Sequence, residues 1–370
     1  MKNNLRSCGC LLIGWAVLTC LAGDLLGQDY NGALEKIFFG RQPSAKAEAM
    51  GRSLVATSAD AFSAFYNPAS TSLKPGWLIS ASYAGPYYLA DKADYTFIGA
   101  TYHFGNLGVL GLQLFRFSFG EPLFVTDIND PNAQSEKMTP TTSLYSLNYS
   151  RETIKDFYVG INFNLVRDKL VDTANSYLID VGLLKIFRFH QRHSSVKSVS
   201  LGASLFNVSN SKMVSDFGPD RKITEILPRT LHVGAACQFF WGRSQLNSVE
   251  LQTFGLLLHV AYQDLLNSKY LNGFQTGAEL SFLQLLFVRL GYYRTDQDDF
   301  GFSDTNKNHL SDFTYGFGIA LPVSKLTKKN IPLNVQFDMT SLKQPSFIKN
   351  YDKWANFSVF NLSINWQFNK

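Results

Sequence analysis

The sequence has 370 residues and a formal net charge of +5, with 45% hydrophobic and 14% aromatic residues. A charge this small, with no cluster of Lys and Arg interleaved with aromatics, excludes a nucleic-acid-binding face. Of the four cysteines, Cys8, Cys10 and Cys20 lie near the N-terminus. Cys237 alone remains after export, which excludes an intramolecular disulfide and a cysteine-based metal site.

At the N-terminus Lys2 and Arg6 precede Leu11–Leu12–Ile13–Gly14–Trp15–Ala16–Val17–Leu18, an apolar core too short to span a bilayer. That is the anatomy of a secretory signal peptide. Residues 1–27 are expected to be removed, by cleavage after Gly27 or after Ala22. A lipoprotein signal on Cys20 is the alternative, although Thr19 is bulky for the position before an acylated cysteine. No later stretch approaches the run of about 18 apolar residues that a membrane helix needs. An exported chain with 31 Phe and 17 Tyr but no such run suits a soluble β-protein or a membrane barrel.

Residues 28–76 do not alternate and form the second expected unit. Ala45–Lys46–Ala47–Glu48–Ala49–Met50 reads as a short helix stopped by Gly51, and residues 53–57 as a brief strand. Asp60 through Pro68, with Phe62, Phe65 and Tyr66, ends in the turn signal Asn67–Pro68. This stretch is too small for a domain and its aromatics need an apolar site. It is expected to lie in a lumen as a hatch built on Met50, Gly51, Arg52, Asp60, Phe62, Phe65, Tyr66, Asn67 and Pro68; the alternative is a tail across the barrel mouth.

Residues 77–370 carry the alternation. Phe360, Leu362, Ile364, Trp366 and Phe368 interleave with Asn361, Ser363, Asn365 and Gln367. The same pattern recurs at 157–165, 313–320 and 333–339, with an apolar face for lipid and a polar face for a lumen. The expected fold is all-β, a transmembrane antiparallel barrel of about 14 strands. The strands fall at 77–84, 95–103, 107–117, 141–150, 156–166, 176–188 and 197–208, then 229–240, 249–262, 273–283, 285–295, 311–320, 331–340 and 355–368. Connections after odd strands are long and polar, and those after even strands mostly short, as in bacterial outer-membrane barrels. Aromatics near strand ends, including Phe187, Phe189, Phe239, Phe240, Trp241, Trp366 and Phe368, suit an interfacial girdle.

The phase of alternation turns Asp180, Glu279 and Asp338 inward, together with Glu250, Arg116 and Arg289. Such charges line a water path, pair with the hatch or are simply solvated; Arg52 opposite an inward carboxylate would latch the hatch to the wall. In the long 118–140 connection, Phe119, Leu123, Phe124 and Val125 make an apolar stretch. It suits a ligand gate or partner contact, or a cap folded over the lumen. His190 and His193 share a basic turn with no carboxylate to complete a metal site. The loop of Asp296, Asp298, Asp299 and Asp304 lacks the spacing of an EF-hand. Neither Gly-x-Ser-x-Gly nor His-Glu-x-x-His occurs. No enzyme, metal or cofactor is expected.

Three stretches carry a family resemblance. Ala45–Lys46–Ala47–Glu48–Ala49–Met50–Gly51, then Val55–Ala56–Thr57–Ser58–Ala59–Asp60–Ala61 and Tyr66–Asn67–Pro68–Ala69, resemble the N-terminal signature of the PorV/PorQ family, related to FadL-like fatty-acid transporters. Leu227–Pro228–Arg229–Thr230 resembles the entry to a later strand of such barrels, and residues 277–320 resemble the family's C-terminal third. Arg52 departs from the pattern, where a second glycine is usual, as does Tyr66, where tryptophan is common. The resemblance implies a fourteen-stranded barrel with a hatch, sited in the outer membrane and embedded in its lipid. Its first implied role is a component of a type IX-like secretion machine that binds cargo or partner proteins. The alternative is a FadL-like transporter with a hydrophobic ligand in the lumen. The hatch argues against a third role, an open diffusion porin.

Overall fold

A strand turns successive side chains to opposite faces, so a period-two alternation of apolar and polar residues sorts each strand into two surfaces. The computed structural model describes residues 42–367 apart from 59, 86–93, 119, 121–122, 126–135, 170–172, 190–194, 217–221, 247–248, 267–271, 297–308, 328–330 and 344–355. Residues 1–27, the His190–His193 turn, Phe119, Phe368 and the Asp296–Asp304 loop beyond Asp296 therefore lie outside the described residues.

The described chain opens with helix α1 (Ala45–Ala49) and three 3-10 turns at Leu54–Ala56, Ser63–Phe65 and Pro68–Leu73. Strands β1 (Trp77–Gly85), β2 (Asp94–His103) and β3 (Val109–Ser118) follow, then a small hairpin of β4 (Leu123–Val125) and β5 (Glu136–Met138). Next come β6 (Thr141–Ile154), β7 (Phe157–Lys169), β8 (Thr173–Arg188) and β9 (Val196–Leu205). A second hairpin, β10 (Lys212–Asp216) and β11 (Lys222–Ile226), precedes β12 (Thr230–Leu246), β13 (Val249–Leu265) and β14 (Gly273–Phe282). The chain closes with β15 (Leu286–Asp296), β16 (His309–Pro322), helix α2 (Val323–Thr327), β17 (Leu333–Lys343) and β18 (Asn356–Trp366).

Apart from the two hairpins, the strands form one closed barrel in which each pairs with its sequence neighbours and β1 pairs with β18. Every pairing is antiparallel, and Trp77 faces Trp366 at the closing seam. All fourteen barrel strands are those expected. β12 runs beyond its expected end, because Trp241–Leu246 pairs with Val249–Phe254. The two hairpins are additions inside long connections. Residues 54–56 form a 3-10 turn and not a strand: they cross the lumen, where no strand edge is free to pair with them.

Phe360, Leu362, Ile364 and Trp366 are exposed on the outer surface while Asn361, Ser363 and Asn365 are buried inside. Outer faces of β1, β6, β13, β15 and β16 are likewise apolar, so the barrel presents to its surroundings the surface that lipid covers. At the short-turn end Trp77 packs on Tyr102 at 4.2 Å and Tyr102 meets Phe104 edge-on at 4.3 Å, with Trp241 stacked on Phe254 and Phe254 packed on Phe282 further round. Of the expected girdle, Phe187, Phe189, Trp241 and Trp366 are exposed on the outer surface, whereas Phe240 turns inward and lines the lumen.

Candidate functional site

Residues 42–76 run across the lumen: α1 packs on β15–β18, the turn at Leu54–Ala56 on β9, β12 and β13, and the turn at Pro68–Leu73 on β3 and β6–β8. Irregular backbone away from water needs partners for its N–H and C=O groups. Polar side chains of the inner wall supply them. Asn162 donates to Ala64 O at 3.0 Å, Ser204 to Tyr66 O at 2.9 Å, Gln113 to Ala61 O at 2.9 Å and Thr314 to Ala49 O at 3.0 Å. Asn67 caps the last turn through Ala69 N and donates to Val55 O and to Leu183 O of β8. Inward glycines let the hatch sit against the wall's backbone. A methyl group at Gly277 would stand 2.7 Å from Met50 Cβ, and one at Gly182 would stand 2.7 Å from the Pro68 ring.

A chain of charges anchors α1. Lys46 Nζ lies 3.0 Å from Glu279 on β14, and Glu279 accepts from Arg289 Nε at 2.6 Å. Arg289 Nη1 reaches Asp338 on β17 at 2.6 Å, and Gln336 donates to the far oxygen of Asp338 at 2.9 Å. The latch expected of Arg52 is thus made by Lys46. Arg52 pairs within the hatch with Glu48 at 2.9 Å and lies over the Tyr293 ring. Its φ of 67° explains why glycine suits this position; the Glu48 pair and the Arg52 N–H to Ala47 O bond at 2.8 Å hold it there.

Toward the long-connection end the inner wall of β1–β3 and β6–β8 is apolar. Tyr95, Phe97, Phe115, Phe117, Leu144 and Leu178 point inward and pack with Phe62 and Phe65 of the hatch. Phe62 meets Phe97 and Phe115 edge-on at 6.2 and 6.0 Å, and Phe65 meets Phe115 at 5.0 Å, the spacing at which aromatic edges and faces attract. Met213 of the β10–β11 hairpin and Leu227 seal this cluster from the side of β8. On the other face of the same wall lies an apolar concavity of about 620 Å³, lined by Ile98, Leu112, Tyr145, Leu147, Phe163 and Tyr177. Gly99 borders both: it lines the concavity, and a methyl group on it would stand 3.0 Å from the Phe62 ring.

Beneath the hatch, at the short-turn end, lies a polar vestibule of about 510 Å³ bounded by Lys46, Lys74, Arg188, Glu279 and Gln336. Burial pushes the Lys74 ammonium below its ordinary range, with Lys46 adding to the effect.

The expected hatch residues Met50, Gly51, Asp60, Phe62, Tyr66, Asn67 and Pro68 are all buried in the lumen, with Arg52 and Phe65 partly so. Asp180, Glu279, Arg289 and Asp338 face inward as expected. Arg116 is a correction: Phe115 and Phe117 take the inward positions of β3, so Arg116 points out, near Asp94 at the rim. The Glu250 side chain lies outside the described residues. Leu123, Phe124 and Val125 form β4, paired with Met138, Lys137 and Glu136 of β5, and their side chains also lie outside the described set. Reading from sequence missed Lys46 and the inward aromatics of β2 and β3.

No family model matches the chain, and no curated protein matches it. Solved structures do. The Pseudomonas putida toluene transporter TodX is 12% identical, with 93% of this chain and 100% of that one covered at a TM-score of 0.49. The Ralstonia pickettii toluene transporter TbuX is 11% identical, covering 88% and 98% at a TM-score of 0.45. A Pseudomonas aeruginosa FadL homologue is 11% identical, covering 89% and 99% at a TM-score of 0.44. Identities this low do not extend to what those proteins carry.

Proposed function

We propose that this chain is an outer-membrane barrel that passes apolar small molecules by non-covalent contacts alone, with the hatch as its barrier. One observation carries the reading: an apolar aromatic cluster inside the lumen and an apolar concavity outside lie back to back on one stretch of wall, with Gly99 between them. A water-filled diffusion pore has no use for buried phenyl rings in its lumen. Apolar solutes gain about 25 cal/mol for each Å² they remove from water, so such a lining captures them. Long connections at one end and short turns at the other support an orientation with the long connections outside the cell. A role in protein secretion rests on the family resemblance of residues 45–69, 227–230 and 277–320, and no described residue adds to it.

The test is entry of N-phenylnaphthylamine and of a polar antibiotic into cells making the barrel, compared with cells lacking it. Faster entry of the apolar dye with unchanged entry of the polar drug is expected. Unchanged entry of both, with a stoichiometric protein copurifying after gentle detergent extraction, would reverse the ranking in favour of secretion.

A further inference from the structure

Asp60 begins the turn that carries Phe62 and Phe65, and it is only 3% exposed. One carboxyl oxygen accepts the Phe62 N–H at 3.0 Å; the other accepts the Asn361 side-chain amide of β18 at 3.2 Å. The Ser44 hydroxyl, also neutral, donates to it as well. The charged and titratable groups that act on it or feel its charge are Lys46, Tyr66 and Lys74 on the hatch and Asp338 on the wall. Lys46 and Arg289 are bonded to Glu279 and Asp338, and Arg52 to Glu48. Among the described residues no cation lies within ion-pair distance of Asp60. Beside it, the Asn361 carbonyl oxygen is buried with no hydrogen-bond partner.

We propose that Asp60 is an acid-set lock on the hatch: its neutral carboxyl ties the Phe62 turn to β18, and its ionised form loosens the same joint. A neutral carboxyl needs no counter-charge and still accepts the Phe62 N–H and the Asn361 amide. An ionised carboxylate stays buried without a counter-charge, which is costly.

Burial is the main cause that raises the Asp60 carboxyl to about 6, and nearby Asp338 adds to it. The sign follows. A docked hatch that binds the proton more tightly than a released one is most firmly docked at low pH, and docking weakens as pH rises through about 6. The proton leaves to bulk water. That release of the turn also frees Phe62 from Gly99, and so eases passage, rests on the apolar-transport reading; the lock itself does not.

Amide exchange of the 60–66 segment tests it, on the full chain folded in micelles between pH 4.5 and 8 and corrected for the intrinsic pH dependence of exchange. In the wild type, protection is expected to fall by about tenfold or more as pH rises through the midpoint. Asp60→Asn should stay protected throughout, with no step. A flat wild-type profile, or a step retained by Asp60→Asn, overturns the proposal. Should Asp60→Asn not fold, Asp338→Asn serves: the midpoint moves to lower pH, and an unmoved midpoint overturns the lock. A flat exchange profile with intact dye entry removes the lock and leaves the passage; a clear step without dye entry does the opposite.

Discussion

Arg289 has its guanidinium almost wholly out of water, between carboxylates from the two strands β14 and β17. Taking away one partner of a buried ion pair leaves the others uncompensated and costs about 3–5 kcal/mol. Arg289→Met should therefore lower the unfolding free energy of the barrel by that order, since both Glu279 and Asp338 lose a bonded partner. Lys46→Met should cost less, because Glu279 keeps Arg289. Equal losses in the two variants, measured by urea unfolding in micelles, would shift the weight from the wall to the hatch anchor. The inward charges Glu279 and Asp338 were legible in the sequence because polar and apolar residues alternate cleanly around each, and Arg289 because it stands between the apolar Val288 and Leu290. Lys46 was not: it reads as a solvated cation on a short Ala-rich helix, and its partner is 233 positions away. Arg116 misled for a different reason. Leu112 and Leu114 are apolar on the outer side of β3 while Phe115 and Phe117 are apolar on the inner side, so polarity does not set the phase of that strand.

At the scale of elements, the hatch has little regular structure and keeps its path by fitting against wall strands that have no side chain where it touches them. Gly277 meets Met50, Gly291 meets Gly51, Gly182 meets Asn67 and Pro68, and Gly202 meets Val55. Valine at Gly277 or Gly202 would drive two branches into hatch backbone that has no room to retreat, an overpacking cost of about 1–3 kcal/mol or more. The expected outcome is a displaced hatch in an intact barrel, seen in planar bilayers as a large steady conductance absent from the wild type. A conductance unchanged by Gly277→Val would show that the hatch tolerates a shifted seat. Strand number, order and most bounds were open to reading from alternation and connection length. The inner hairpin β10–β11 was not, because Lys212–Ile226 carries no sustained apolar face, and neither was the 3-10 turn at Leu54–Ala56, whose composition suits a strand.

The molecule as a whole is a closed sheet whose first and last strands must find each other, since Trp77 pairs with Trp366. Contacts so distant along the chain are reached late, because loop closure takes its entropy before pairing returns it. The hatch precedes β1 and joins it through Gly76, and it touches β6–β9 with its later turns and β15–β18 with α1. One short segment thus grips strands from both halves of the sheet. If those contacts form before the seam, the plug that obstructs the finished lumen is, during folding, a scaffold around which the sheet curls. A chain lacking residues 42–75 should refold more slowly while unfolding at a rate less changed, if these contacts already exist in the rate-limiting step. The barrier and the mandrel are then the same thirty or so residues, so a variant that empties the lumen by weakening the hatch also delays the closing of the wall around it.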